Sequence, residues 1–423
     1  MDQHRTVIRR RRRGMRPWAV ILLCILCALI AAAATLFYIY GQFGGRKEFR
    51  DAQRYLEVQN AVTKNYIGDY KASDLKNAAA NAMIDSLGDR WSYYMTADEY
   101  KSYKLHSANQ YEGIGVTIDK DEETGGFRIR SVMDNTPASS AKLQEGQIII
   151  AVDDEDVTDL TVDGIRELIS SKIDSKINLV VLDDGDKVTY KLDCSVIYSN
   201  PVSYELTNEL VGYIRIANFD AGSGDATISA IDNLVTQGAT SLIFDVRDNP
   251  GGMLSELIKV MDYVLPSGEI FVSVDSSGKE TVKKSDNVCL QMVMSVLVNE
   301  YSFSAAEYFA AALQEYEWAT VVGAPTTGKA RSQTTIELSD GSAVHISNHK
   351  YLTPKRVDLS DSKGINPDVV VNDSAMDPDG LLRSDKAVQA AIDAMNGYTS
   401  SDSSDSSDSS EEQESEEEEE PSA

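Results

Sequence analysis

MVMSVLVNEYSFS, residues 292–304, is an apolar run that breaks into a polar turn, and a helical stretch, Ser304 to Tyr316, starts at once. A run apolar at nearly every position predicts a strand covered on both faces, because a half-exposed strand would alternate. Working outward, Val211 to Ile216 and Ser241 to Val246 read as strands of the same kind, and Thr320 to Val322 as a short one. Asp225 to Thr236 reads as a helix closed by Gly238; Leu254, Leu257, Ile258, Met261 and Leu265 mark another, stopped by Pro266 and Gly268. Strands alternating with helices predict parallel pairing through crossovers, an α/β (mixed α+β) core. In such sheets ligands bind beyond the carboxyl ends of the strands. Asp248-Asn249-Pro250-Gly251-Gly252 and Ser302 to Ser304 both fall there.

The chain has 423 residues, enough for two or three domains, and a formal charge of −27. Seven arginines crowd the first sixteen residues, and three Asp and eight Glu lie between Asp402 and Glu420. A negative body argues against nucleic acid, which needs a basic surface. The basic segment 1–17 precedes Trp18 to Tyr40, twenty-three residues without a charge. At about 1.5 Å per residue that run spans the roughly 30 Å of bilayer hydrocarbon. It predicts a transmembrane helix over 18–40, cytoplasmic at the arginine end, with everything after Gln42 outside. A cleaved signal peptide, with Ala32-Ala33-Ala34 as its cleavage site, is the competing reading. The long run and the aromatic belt of Phe37, Tyr38 and Tyr40 favour the anchor. Cys24 and Cys27 lie inside it, preceded by bulky residues that speak against lipid attachment. Cys194 and Cys289 remain for a disulfide, and no CxxC pair elsewhere suggests zinc. Residues 46–108 read as a helical packing layer without chemistry, and 398–423 as a disordered, acidic Ser/Asp/Glu-rich tail with nothing to bury. A last helix is expected over Asp377 to Met395.

Residues 109–193 have another texture: Val116 to Ile118, Phe127 to Val132, Gln147 to Val152, Ile177 to Leu182 and Lys187 to Leu192 are short β-type runs. Helical stretches interrupt them at Ser139 to Leu143 and Thr161 to Ser170. This is the order of a small, partly open barrel with two helices, and it resembles a PDZ domain. Gly113-Ile114-Gly115-Val116 is similar to that family's carboxylate-binding loop, in which backbone N–H groups receive a peptide's terminal carboxylate while the peptide adds a strand. Lys142 stands where the family has glycine and Gln147 where it has aspartate, changes expected to soften ligand binding and leave the fold intact.

The core domain, 194–397, carries the chemistry. Val298-Asn299-Glu300-Tyr301-Ser302-Phe303-Ser304-Ala305-Ala306-Glu307 resembles the nucleophile motif of the carboxyl-terminal processing peptidases, the tail-specific serine proteases of family S41. Gly328-Lys329-Ala330-Arg331-Ser332-Gln333 resembles their base motif. Twenty-five residues separate Ser304 from Lys329 and four separate Lys329 from Gln333, the family's spacings. Phe244 to Gly252 and Gly364-Ile365-Asn366-Pro367-Asp368-Val369 are similar to two further blocks. Tyr301, Phe303 and Ala306 depart from the pattern; the first two are expected to narrow the acceptor pocket.

The residue types suit acyl transfer. A serine hydroxyl needs a base to take its proton, and His345 and His349 fall in no triad motif. A neutral lysine serves if burial lowers its pKa from about 10.4. Gln333 can accept from that amine without adding a charge that would keep it protonated. For the oxyanion, Ala305 N–H lies at a helix start, and either Gly251 or Gly252 supplies a second donor. Taken alone, Ser304-Ala305-Ala306-Glu307 is the S-x-x-E of a helix capping box; the matched lysine and glutamine spacing, with Asn249-Pro250-Gly251-Gly252 at another strand end, favours the nucleophile. His345 and His349, about 13 Å apart on an extended strand, suit no single metal ion.

The apolar run and the resemblance together predict a membrane-anchored serine endopeptidase needing no cofactor or metal, cleaving proteins and peptides with free C-termini outside the cytoplasm, near those termini. The PDZ-like domain would bind the tail and gate Ser304, and homo-oligomers stay open. The alternative is a membrane-tethered PDZ-like adaptor with an inactive peptidase half; a third reading is an acyltransferase using the same dyad.

Overall fold

The computed structural model describes residues 16–371 and 382–397. The chain divides between Ala82 and Met83 into two compact units. The first carries α1 (Pro17–Gln42) and α2 (Arg46–Asn65). Pro17 opens α1 where its missing N–H costs nothing. With a mean hydropathy of 2.9 over its most apolar window, α1 is long and apolar enough to cross a membrane. The basic residues 1–15 and the acidic tail, 398–423, lie outside the described residues, as does 372–381, the start of the expected last helix.

The helix α3 (Ala72–Asp85) leads into the second unit, where β1 (Tyr93–Met95) and α4 (Ala97–Ser107) come first. Thr96 and Glu99 form a capping box at the start of α4, with Thr96 N–H donating to Glu99 Oε2 at 2.7 Å. Next, β2 (Gln110–Gly113) opens the small domain. It continues as β3 (Val116–Lys120), β4 (Phe127–Val132), α5 (Pro137–Ser140), β5 (Ile148–Val152), β6 (Glu155–Asp156), α6 (Val162–Ser170), β7 (Lys176–Asp183) and β8 (Asp186–Asp193). Then β9 (Ser195–Tyr198) pairs back on β2, so entry and exit lie side by side. The sheet order is β3-β4-β5-β7-β8, with β6 against β5. Alternation puts Ile177, Leu179 and Val181 inward on β7, where they meet Phe127, Ile129, Ile149 and Ile165 in a core of its own.

Both departures from the PDZ pattern are visible in the small domain, Lys142 exposed and Gln147 buried. Lys142 takes φ 64°, the left-handed turn that a glycine makes without strain. Gln147 donates to Asp183 Oδ2 (3.0 Å) and the Tyr190 hydroxyl (3.1 Å) and accepts Gln144 N–H, so its amide is an internal brace. Cys194 is free and buried, its Sγ beside Ile169 O, and burial pushes the thiol up to about 11. Cys289 is likewise free, so the two cysteines left for a disulfide do not form one.

The larger domain runs β10 (Val202–Leu206), β11 (Val211–Ile216), α7 (Ser223–Thr236), β12 (Ser241–Asp245), α8 (Leu254–Val264), β13 (Gly268–Asp275) and β14 (Glu280–Ser285). There follow β15 (Val293–Val298), α9 (Ala305–Glu315), β16 (Thr320–Gly323), β17 (Arg331–Glu337), β18 (Ala343–Leu352), β19 (Val369–Val370) and α10 (Lys386–Met395). Its main sheet has the order β10-β11-β12-β15-β16-β19; β10 runs antiparallel and the rest pair parallel, as the continuous apolar strands require. One face packs Ile214, Ile216, Phe244 and Val296 against α7, α8 and α9. The other packs Tyr213, Ile243, Leu297 and Val322 against Ala387, Val388 and Ala391 of α10. Beneath α10, the fully buried Arg247 guanidinium joins Asp245 (2.6 Å) to Asp385 (2.8 Å), and Tyr213 donates to Asp245 at 2.6 Å. Those carboxylates hold Arg247 above its ordinary pKa against the cost of burial. A second sheet, β1-β18-β13-β14 with β17 on β18, has no counterpart in the sequence pattern.

Candidate active site

The parallel strands end together, and two loops leave that edge already tied. Asn299 Oδ1 accepts the N–H groups of Asp248 (3.0 Å) and Tyr301 (3.1 Å), while Asn299 Nδ2 donates to Asp248 Oδ1. Ser302 Oγ donates to Val246 O at 2.7 Å, and Phe303 N–H to Asn249 O at 2.9 Å. Held this way, the chain reverses at Ser304 with φ 53° and ψ −115°, a backbone conformation costly for a residue with a Cβ. Gly251 fits beside it because it lacks one: a Cβ there would lie 2.9 Å from both Phe303 O and Ser304 Cβ.

The glutamate of the sequence-level capping box does more than cap. Glu307 is fully buried and accepts Ser304 N–H at 2.9 Å. The same oxygen, Oε2, accepts Lys329 N–H at 2.8 Å, and Oε1 accepts Gly328 N–H and the Thr326 hydroxyl, both at 2.6 Å. One carboxylate therefore pins the serine turn to the lysine loop. Gly328 makes that loop possible: at φ 85° it packs so closely that a Cβ would meet Leu359 O at 2.6 Å and Gly364 N at 2.7 Å. This places the Gly364-Ile365 block against Gly328, and Ile365 N–H donates to the Thr326 hydroxyl at 2.9 Å.

Lys329 is largely buried, and desolvation lowers its pKa against the pull of Glu307. Arg90 lowers it further and Asp89 opposes. Its Nζ rests 4.5 Å from the centroid of Trp91, with no carboxylate in ion-pair reach and no bond to Ser304 Oγ among the described residues. Gln333 does not hold it here. A β-bulge at Ser332/Gln333 turns the amide so that Nε2 donates to Arg331 O and Ser347 Oγ, each at 3.1 Å. Its Oε1 has no donor among the described residues. Ser347 N–H donates to Ser92 Oγ (3.0 Å), and Ser92 Oγ to Asp89 Oδ2 (2.5 Å). These serines and the Trp91 N–H hold the Asp89 carboxyl below its usual range although burial acts the other way. The turn 89–92, in a segment expected only to pack, thus reaches the lysine through Trp91 and, by way of Ser347, the glutamine through Ser92.

Among the oxyanion candidates, Gly251 N–H is engaged by Asn249 Oδ1 at 2.8 Å. The Gly252 and Ala305 N–H groups have no acceptor among the described residues. Gly252 is clamped against Phe219, whose N–H and carbonyl bond Gly251 and Met253. His345 lies between Tyr93 and Tyr103 with Nδ1 2.9 Å from Thr335 Oγ1; burial and the Lys329 charge bring it down to about 4, so it is neutral at pH 7. Tyr301 is exposed, and the Phe303 ring faces Trp91 at 6.5 Å. In the small domain, Gly113 ends β2, Ile114 is buried in the core, and Gly115 at φ 89° turns the chain into Val116. Glu307 and Trp91 are the residues that sequence reasoning left out; only the glutamate had a signal, its place in S-x-x-E.

The PDZ domain profile matches residues 103–182, and that of peptidase family S41 matches residues 210–371. A protein described as a CtpA-like serine protease from Staphylococcus epidermidis (strain ATCC 12228) is 30% identical over 367 residues, covering 85% of this chain and 74% of its own. A carboxyl-terminal-processing protease from Synechocystis sp. is 30% identical over 327 residues, covering 75% and 76%. A crystal structure assigned as an S41 protease from Bacteroides fragilis superposes with a TM-score of 0.51 at 18% identity, covering 75% of this chain and 90% of its own, and shares the fold.

Proposed function

The chain belongs to peptidase family S41, the carboxyl-terminal processing serine proteases, and on that premise we propose Ser304 as its nucleophile and Lys329 as its general base. The observation that carries this reading is the shared oxygen of Glu307, which brings the Ser304 and Lys329 backbones onto one acceptor. The depressed pKa of Lys329 and its lack of a carboxylate partner support it, since the base must be neutral to act.

In the proposed reaction Lys329 Nζ leaves the Trp91 ring and accepts the Ser304 proton, steadied by the open Oε1 of Gln333. Ser304 Oγ adds to the scissile carbonyl, and the oxyanion lies between Ala305 N–H and Gly252 N–H. Gly251 supports this hole from behind rather than donating to it. Lys329 then passes its proton to the leaving amine as the C–N bond breaks, leaving an acyl-serine. Water, deprotonated by the same amine, releases the carboxylic acid and restores the serine. The loop Gly113, Ile114, Gly115 and Val116 receives the substrate's C-terminal carboxylate. The helix Pro17–Gln42 anchors the protein in a membrane, with the catalytic part outside the cytoplasm.

The test uses the full chain in detergent and an unstructured substrate such as casein. Cleavage that disappears in both Ser304→Ala and Lys329→Ala supports the dyad; cleavage surviving in either variant refutes it and leaves the adaptor reading. An N-terminus beginning after Ala34 in protein isolated from cells would replace the anchor by a signal peptide.

A further inference from the structure

Two cations share one ring beside the reactive amine. Lys329 Nζ lies 4.5 Å and Arg90 Cζ 4.2 Å from the centroid of Trp91. The main chain that carries the ring is held: the Trp91 backbone N–H donates to Asp89 Oδ1 at 3.2 Å, and β1 just beyond it pairs with β18. The ring of Phe303, the residue immediately before Ser304, lies 6.5 Å from that of Trp91, centroid to centroid. Trp91 thus neighbours both the lysine and the turn that carries the serine. We propose that Trp91 is a positioning residue for Lys329, its ring being the seat on which the amine rests until substrate draws it to Ser304.

This rests on Lys329 being the base. The physics of the seat is specific. An indole face attracts an ammonium, and more strongly where water is excluded. It attracts the neutral amine far less, so the ring favours the stored, protonated state. Arg90 on the same ring pushes the opposite way by repulsion. The other charged or titratable groups facing the amine are Glu307 from α9, Asp89 from the turn and His345 from β18. Glu307 and Asp89 favour the ammonium, and His345 is neutral near pH 7. The seat therefore sets both where the amine waits and how readily it gives up its proton.

The full chain is assayed on casein across pH as Trp91→Leu, Trp91→Phe and Arg90→Met, with melting curves to confirm folding. Trp91→Leu is expected to move the acid limb of kcat/KM to lower pH, because the ammonium loses its attraction, and to lower the high-pH plateau of kcat about tenfold with KM within twofold, because the amine is no longer positioned. Trp91→Phe, which keeps a ring, recovers most of the loss. Arg90→Met moves the acid limb upward, because a repelling charge is gone. Wild-type kcat and profile in Trp91→Leu, equal damage in the Phe and Leu variants, or a loss confined to KM would each overturn the proposal. If Trp91→Leu does not fold, an unmoved limb in Arg90→Met overturns it. Lys329→Ala separates the two levels: residual cleavage there defeats the base itself, whereas a dead Lys329→Ala with wild-type Trp91 and Arg90 profiles defeats only the seat.

Discussion

Replacing Glu307 by glutamine changes one oxygen to an NH2 group and tests whether the serine turn and the lysine loop are held by a single buried carboxylate. Four donors converge on that group: three backbone N–H and one hydroxyl, at 2.6–2.9 Å. Glutamine can still accept two of them. Its NH2 then faces the other two, and only the Thr326 hydroxyl can rotate to accept, which leaves Gly328 N–H opposed to a donor. Losing one charge-assisted bond costs about 1.5–3 kcal/mol, and the surviving bonds weaken to neutral strength. Relief from burying a charge offsets part of this. A net destabilisation of about 2–4 kcal/mol follows, read as a lowered urea midpoint at unchanged slope. Because a shift of about 1 Å between reacting groups costs about 10²-fold, kcat should fall by that order. The removed charge had favoured the Lys329 ammonium, so the acid limb of kcat/KM also moves to lower pH. Full activity and an unchanged midpoint in Glu307→Gln would refute the reasoning.

Other expectations follow from the same geometry. Lys329 is a lysine whose folded pKa lies below its unfolded value of 10.5, so the unfolded chain binds more protons between the two. Its burial therefore costs stability fully below the folded pKa and ceases to do so as pH rises towards 10.5. Lys329→Met should raise the melting temperature at neutral pH while abolishing cleavage, with the gain vanishing near pH 10.5; a lowered melting temperature at pH 7 would contradict this. Arg247→Leu leaves Asp245 and Asp385 buried without their cation and should cost about 3–5 kcal/mol by denaturant titration. Lys142→Gly relieves a left-handed residue and should add about 1 kcal/mol or more to the small domain's stability, measured the same way.

What could be read from the chain depended on how local the determining physics is. The strands β11, β12 and β15 announced themselves because each is apolar almost throughout, the mark of burial on both faces. The small domain's runs were legible because inward and outward positions alternate, as in β7. The second sheet was not: β14 reads Glu-Thr-Val-Lys-Lys-Ser and β17 Arg-Ser-Gln-Thr-Thr-Ile-Glu, and such polar strands exist by pairing with distant partners rather than by pattern. Ser304 and Lys329 carried a spacing, so they could be found together. Glu307 looked like a cap because half of its work is a cap; its bonds to Gly328 and Lys329 cross about twenty residues and a helix. Trp91 sits more than two hundred residues before the lysine it touches, with nothing in its neighbourhood to betray the contact. The direction of the Gln333 amide was set by a bulge, which side-chain spacing does not reveal.

Labelling with a fluorophosphonate, a reagent that phosphonylates activated serines, bears most directly on the dyad. Mass spectrometry of the full chain should find one adduct, on Ser304, forming at a rate that rises with pH through a pKa below 10.5 and falling to background in Lys329→Ala. An adduct on another residue, or labelling of Ser304 that proceeds unchanged without Lys329, would contradict a serine activated by this lysine.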